Sequence, residues 1–398
     1  MRVSMPTMYG NIQTQLQRLA EELQHTNAQI STGRKYQQIS DNPVEVGALM
    51  GLNVESSQVT QYKSNLDTAN SWLSATETTL TNINTLVSST ASLAEQMATG
   101  TYTAAQRAAA AEQVQQYMEE YMQMGNTCYQ GHYILSGYKI DTEPFTMGDF
   151  EIQDPEMHLQ AGSDGQASSS LAAGGYTGTS SATYIVEIVS GGATNTATYR
   201  VSEDGGQTWS ATNTTAVGPL AIGSDGAQVS FDGTSTNWVA GDRFTISVYQ
   251  PISYQGDNNT LELGIGRNSR LAVSQVGSQV VGGTGGQNDL FQIMAHLKSD
   301  LEANNAGGVG ARLEELRDYQ SHLTSTLAGL GAALNRVEVK QNAYDSLNQQ
   351  LTTNIANKGD TDLVAAATAL ATQQLAYQAA LQSSSKIMGM SLVNYLPV

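Results

Sequence analysis

Val309 to Asn357 reads VGARLEELRDYQSHLTSTLAGLGAALNRVEVKQNAYDSLNQQLTTNIAN, without a proline. Leu313, Leu316, Gln320, Leu323, Leu327, Leu330, Leu334, Val337, Gln341, Tyr344, Asn348, Leu351 and Ile355 follow at alternating steps of three and four. That spacing puts one apolar seam along a helix. At about 1.5 Å per residue the helix would run roughly 70 Å. A rod of that length buries its seam only beside other rods, so an antiparallel bundle is expected. Gln320, Gln341 and Asn348 interrupt the seam. They either fix register as buried polar groups or mark local exposure where a partner helix ends.

The partner rods are legible on both sides. Ile12, Leu16, Leu19, Leu23, Thr26 and Ile30 repeat the seam near the start. Gly33 then supplies a left-handed stop, and Asn42-Pro43-Val44-Glu45 offers an N-cap, a first-turn proline and a capping glutamate. Leu66, Ala69, Leu73, Thr76, Leu80, Ile83, Val87, Thr90, Ala94 and Met97 form a second stripe, and a further helix is expected to end near Leu301. Ala110, Val114, Tyr117, Tyr121, Met124 and Cys128 form another stripe, which would make Cys128 a core thiol. After Lys358-Gly359-Asp360 a last helix carries Leu363, Ala367, Leu370, Tyr377, Leu381 and Met388 toward Leu392 and Tyr395.

Between the helical ends the composition turns to Gly, Ser, Thr and β-branched residues. Strands are predicted at Thr183–Val189, Thr196–Ser202, Gln228–Phe231 and Arg243–Tyr249, with turns at Gly191-Gly192 and Asp204-Gly205-Gly206 and a loop over Gly162–Ser181. The expected fold is α+β: a long-helix bundle formed by the N- and C-terminal segments, with an inserted antiparallel β domain. Residues 1–40 plus 360–398 would form a terminal coiled-coil domain, disordered in the monomer because isolated seams are marginal in water. Residues 41–145 plus 251–359 would form the helical bundle, and 146–250 the insert.

Composition narrows the function. The 398 residues carry 36 acidic and 18 basic side chains, a formal charge of −18, which repels nucleic acid and anionic lipid. One cysteine allows no internal disulfide, and the five histidines, His25, His132, His158, His296 and His322, show no helical metal spacing. Gly264-Ile265-Gly266 lacks a third glycine and Gly282-Gly283-Thr284-Gly285-Gly286 a following lysine, so both read as loops and not phosphate cradles. No nucleophile, base and oxyanion set comes together, so neither catalysis nor a cofactor is expected. No apolar run would span a bilayer, and Met1-Arg2-Val3-Ser4-Met5-Pro6 opens no signal-peptide core. The default is cytoplasmic, unless a dedicated apparatus exports the chain without a cleaved signal.

Three segments carry a family resemblance: Ile30-Ser31-Thr32-Gly33-Arg34-Lys35, Ser40-Asp41-Asn42-Pro43 and Gln61-Tyr62-Lys63-Ser64-Asn65-Leu66 are similar to the shared N-terminal pattern of the flagellin superfamily. Met1-Arg2-Val3-Ser4 with Met8-Tyr9, and Gly131-His132-Tyr133-Ile134-Leu135-Ser136-Gly137-Tyr138 leading to Pro144-Phe145, resemble its hook-associated protein 3 branch. Gly331 to Glu338, Asp362-Leu363, Ala376 to Leu381 and the closing Leu392 to Leu396 fit the same branch. The resemblance implies a secreted structural subunit of the bacterial flagellum, seated between hook-associated protein 1 and flagellin and self-associating in a ring or helical layer. It also implies a flagellar export chaperone and the type III export apparatus as partners. Ile12, Leu16, Leu19, Leu23, Ile30, Leu363, Leu370, Tyr377, Leu381, Met388 and Leu392 would then be assembly-interface residues, with Arg34, Lys35 and Asp41 as inter-subunit loop candidates.

Two other readings remain: a flagellin filament subunit, or a surface adhesin or glycan-binding module carried by the insert. For the latter, Ser202-Glu203-Asp204-Gly205-Gly206-Gln207-Thr208-Trp209 fits the S-x-D-x-G-x-T-W turn of sialidase-like propellers. Such a turn stabilises a hairpin and lies away from catalytic residues, and the insert has too few strands for a propeller.

Overall fold

A computed structural model describes residues 5–284 and 289–393, with side chains described for 10–284 and 289–386. The side chains of Met388 and Leu392 fall outside the described residues. So do Met1–Ser4, the side chains of Met8 and Tyr9, Gly285-Gly286, and the residues after Val393. The elements run α1 (Met5–Thr32), α2 (Pro43–Met97), α3 (Ala104–Gly125), β1 (Cys128–Tyr129), β2 (His132–Tyr133), β3 (Phe145–Met147), β4 (Glu151–Ile152) and β5 (Glu156–His158). Then follow β6 (Ala167–Leu171), β7 (Ala182–Ser190), β8 (Thr198–Ser202), β9 (Asn213–Thr214), β10 (Leu220–Ala221), β11 (Ala227–Phe231) and β12 (Arg243–Tyr249). β13 (Ile252–Tyr254), β14 (Glu262–Gly266), β15 (Ser269–Ala272), α4 (Gly277–Val280), α5 (Leu290–Glu302), α6 (Ala306–Gly359) and α7 (Leu363–Val393) complete the chain. The α+β class holds, and the predicted long rod is α6, 54 residues without a break.

Helix ends follow local chemistry. Gly33 takes φ +71° and its amide returns to the Gln29 carbonyl at 2.9 Å, closing α1. Asn42 caps α2 by accepting the Glu45 amide at 3.2 Å. Glu45 does not complete a capping box, however. Its carboxylate takes Lys358 Nζ at 2.8 Å instead, since a full charge nearby is a stronger partner than the Asn42 amide. Thr103 and Gln106 do form a capping box on α3.

The chain divides into two units, Met1–Ser64 with Val339–Val398 and Asn65–Glu338. In the second, the stripe Leu66, Leu73, Leu80, Ile83, Val87 of α2 is fully buried, as are Val114 and Tyr121 of α3 and Leu316, Tyr319 and Leu323 of α6. Gln320 donates from the α6 seam to Ser88 Oγ at 2.8 Å, so at this position the polar seam residue is a paired one. On α3 the buried row runs Val114, Met118, Tyr121, Gly125 and does not reach Tyr117 or Met124, because a straight helix turns every 3.6 residues and drifts off a heptad.

Cys128 corrects the sequence reading more fully: it is exposed, on β1. α3 stops at Gly125, where a Cβ would lie 2.6 Å from the Phe145 ring, and Asn126 then ties the chain to Phe145 through its side-chain amide. β1 and β2 close a hairpin over Gln130 (φ 53°) and Gly131 (φ 86°), a two-residue turn with both centres left-handed.

The insert is two antiparallel sheets facing each other, β4 and β5 with β12–β7–β8–β9, and β10–β11–β6. Tyr184, Val186, Phe231, Trp238, Phe244 and Ile246 form the centre of its core. Of the predicted strands, Arg243–Tyr249 coincides with β12 and the other three agree within two residues. The Gly162–Ser181 loop is a partial miss: it contains β6, whose Ala-Ser-Ser-Ser-Leu run has little strand propensity and is held by pairing with β11 from Ala167↔Phe231 to Leu171↔Ala227. Gly264-Ile265-Gly266 is likewise no loop but the end of β14, with a register irregularity where glycine is tolerated.

Candidate assembly surface

The first unit is built from α1, α7, the start of α2 and the end of α6. α2 and α6 run antiparallel here, tied by Glu45–Lys358 at 2.8 Å, by a Lys63–Asp345 ion pair and by Tyr62 stacked on Tyr344 at 5.8 Å. α1 and α7 also pack against each other. Ile12, Leu16, Leu19, Leu23 and Ile30 are each half-buried, with Thr26 buried among them. The inner face of α7 carries Ala366, Leu370, Tyr377 and Ser384. Of the candidate interface residues on α7, Leu370 and Tyr377 are half-buried, whereas Leu363 (54% exposed) and Leu381 (44%) remain exposed.

Two helices cannot close a seam by themselves. A groove of about 400 Å³ stays open along Ile12, Leu16 and Ala20 opposite Tyr377 and Ser384, far larger than the water-sized voids of a finished core. Among the described residues of this unit only Val59, Leu351 and Ala366 are buried apolar side chains. Val44, Met50, Val54, Val339, Val364 and Leu375 stand in solvent, each more than half exposed. α7 is apolar on nearly every face, which a helix covered on one side does not need.

The loop between α1 and α2 is ordered by its own residues. Asp41 accepts the Gln38 amide at 3.0 Å and the Gln37 amide at 2.7 Å, and these bonds hold its carboxyl below the usual range. Arg34 pairs its backbone with Asp360, and the Lys35 amide donates to the Gly359 carbonyl at 2.7 Å. Asp41 is thus engaged within the chain. The Arg34 and Lys35 side chains make no ion pair among the described residues, Lys35 lying near the Tyr36 ring. Sequence reasoning missed Tyr62, Tyr344, Lys63 and Asp345 as a tie; their i, i+1 repetition on both helices was its available signal.

The Asp-box octad is committed to structure. Asp204 accepts the Gln207 and Thr208 amides at 2.9 and 2.8 Å and the Thr208 hydroxyl at 2.5 Å. Burial opposes its charge, but the Thr208, Ser202 and Gln207 hydrogen bonds outweigh it and pull the carboxyl down to about 2. The turn joins β8 to β9, and Trp209 lies under the guanidinium of Arg200 at 4.2 Å. Arg200 and Arg243 in turn flank Glu187 across strands.

Residues 3–140 match the family model of the bacterial flagellin N-terminal helical region. Two curated relatives are similar to the chain, both flagellar hook-associated protein 3. That of Salmonella typhimurium is 27% identical over 146 residues, 36% of this chain, and that of Escherichia coli 26% identical over 147 residues, 37% of this chain. Each match spans 46% of the relative, so the chain covers just under half of their length. A solved flagellar hook-associated protein of Vibrio parahaemolyticus shares the fold at a TM-score of 0.50 and 13% identity, over 80% of this chain and 100% of the other. The resemblance to the hook-associated protein 3 branch of the flagellin superfamily is borne out.

Proposed function

We propose that the chain is a structural subunit of the bacterial flagellum that joins hook to filament, lying between hook-associated protein 1 and flagellin. The observation that carries this is the first unit: a layer of helices with solvent-exposed apolar stripes and hardly a core. Such a layer becomes stable when neighbouring subunits cover it, with subunit contacts propagating head to tail around a tube. In this reading α1 and α7 form the innermost layer, residues 41–145 plus 251–359 the next, and residues 146–250 face outward. Export would use the type III apparatus with a chaperone over the termini, and no turnover is involved. The Asp-box side chains are spent on the hairpin, so this turn lends the glycan-binding alternative no support.

Hydrogen exchange tests the assembly-coupled part. On the purified monomer, Met1–Gln38 and Thr361–Val398 should exchange fast while Val309–Asn357 is protected. In a co-assembly with hook-associated protein 1 and flagellin both ends should become protected. Protection of the ends in the monomer would mean that they already bury their seams, and the proposal would fail.

A further inference from the structure

The insert rests on the helical part of the second unit through polar contacts along α5. Thr183 of β7 donates to Glu302 Oε2 at 2.6 Å, Ser247 of β12 bonds to Ser299, and Gln153, between β4 and β5, bonds to His296 at 2.7 Å. Beside them the packing is open: a cleft of about 90 Å³ lies between Tyr249, Pro251 and Ile252 on one side and Met118 of α3 with Phe291 and Ala295 of α5 on the other. Side-chain hydrogen bonds next to a void tolerate small rotations, so they hold the insert down without fixing its angle.

The hard contact lies at the Asp-box turn between β8 and β9. The S-x-D-x-G-x-T-W pattern calls for glycine at Gly206 and leaves the position of Gly205 open. Gly206 belongs to the hairpin: its amide donates to Ser202 Oγ at 2.9 Å, and a Cβ there would meet the Trp209 ring at 3.4 Å, an ordinary contact. Gly205 instead meets the helices. A Cβ on it would lie 2.6 Å from the Glu302 carbonyl oxygen, 3.6 Å from Asn304 Cβ and 3.8 Å from Ala104 Cβ. Its φ of +71° is one that asparagine also adopts, so the turn by itself does not demand glycine here. The close approach to α5 does.

The wall that Gly205 meets is braced. After Glu302 the chain turns back, with the amides of Ala303, Asn304 and Asn305 on the carbonyls of Ser299, Leu301 and Asp300 at 2.8, 3.1 and 2.8 Å. Asn304 takes φ +52°, and its side-chain oxygen accepts from Arg107 of α3. Arg107 is buried and also donates to the carbonyls of Met97, Thr99 and Tyr102 at 2.9, 2.7 and 3.0 Å. It thus ties the α5–α6 turn to the end of α2 and the start of α3.

We propose that the Asp-box turn is a mechanical stop: Gly205, seated on the Arg107-braced α5–α6 turn, sets the angle at which the insert stands on the helices. Arg107 and Asn304 are positioning residues that act through the wall they hold.

Spin labels at Val189→Cys on β7 and Ser325→Cys on α6, both exposed, in the full chain with Cys128→Ser, report that angle as a distance distribution. Gly205→Asn keeps the turn's backbone but puts a Cβ against Glu302. It should shift and broaden the distribution while the near-ultraviolet dichroism of the aromatic core stays native. Gly206→Asn, the same change one residue on, should leave the distribution where it was. Asn304→Gly keeps the left-handed turn but releases Arg107, and it should broaden the distribution even where Gly205→Asn does not fold. A distribution unaltered by both Gly205→Asn and Asn304→Gly, or one altered equally by Gly206→Asn, would overturn the stop.

Discussion

The two units bury apolar surface in opposite ways. In Asn65–Glu338 the insert alone encloses Trp238, Phe231, Phe244, Tyr184 and their neighbours at 2% exposure or less, and the helical part encloses Leu66, Leu73, Leu80 and Tyr319. Among the described side chains of Met1–Ser64 with Val339–Val398 the long apolar ones are half-buried at best, apart from Val59 and Leu351. The lesson is that one chain can hold a well-buried unit and a thinly buried one, the latter left for the proposed assembly to complete. Burial is worth roughly 25 cal/mol per Å² whichever copy of the chain supplies the partner surface.

The comparison breaks most readily at the insert core. Trp238→Ala removes a ring with no exposure whose indole N–H bonds to Thr194 Oγ1 at 3.0 Å, and it should destabilise the insert by about 3–5 kcal/mol in urea titration. A loss under about 1 kcal/mol would mean that the insert does not stand on that core. Next is Asp204→Ala, which should cost about 1–2 kcal/mol at pH 7 by freeing the amides of Gln207 and Thr208. Because the Asp204 carboxyl is held down at about 2, its contribution is present above pH 4 and lost as pH falls through about 2. Acid titration of the wild type and the variant should therefore converge there.

For the thinly buried unit the same arithmetic predicts little in the monomer. Leu16→Ala, on the open groove, should cost less than about 1 kcal/mol in monomer unfolding yet strongly impair co-assembly measured by sedimentation. A large monomer loss with normal assembly would reverse the reading. Smallest is Lys358→Ala: its solvent-screened pair with Glu45 should contribute least of the four to stability in urea titration, an effect that salt should erase.

The long helices were legible because a three–four seam repeated over many turns has few rival interpretations. Strands β7, β8, β11 and β12 were legible because β-branched residues lie between glycine turns. Cys128 was misplaced because periodicity cannot see that Phe145, twenty residues on, occupies the space beside Gly125 and ends the helix. β6 was missed because its pairing partner lies some sixty residues away. On the candidate surface the seam residues were readable, but that Leu370 and Tyr377 are half-buried while Leu363 and Leu381 stay exposed was not, since residues at one seam position are covered only where another helix lies against them.

The chain enters the insert through β3 and leaves it through β13, and these two strands pair directly, Met147 opposite Ile252 and Phe145 opposite Tyr254. The two chain crossings therefore lie side by side, and the insert is a branch of the chain that also rests on α5 through Thr183 and Ser247. Residues can be gained or lost between Gly148 and Pro251 without moving the two ends that the helical part must join. Such a branch is free to diverge in length and surface while the helical part keeps its geometry.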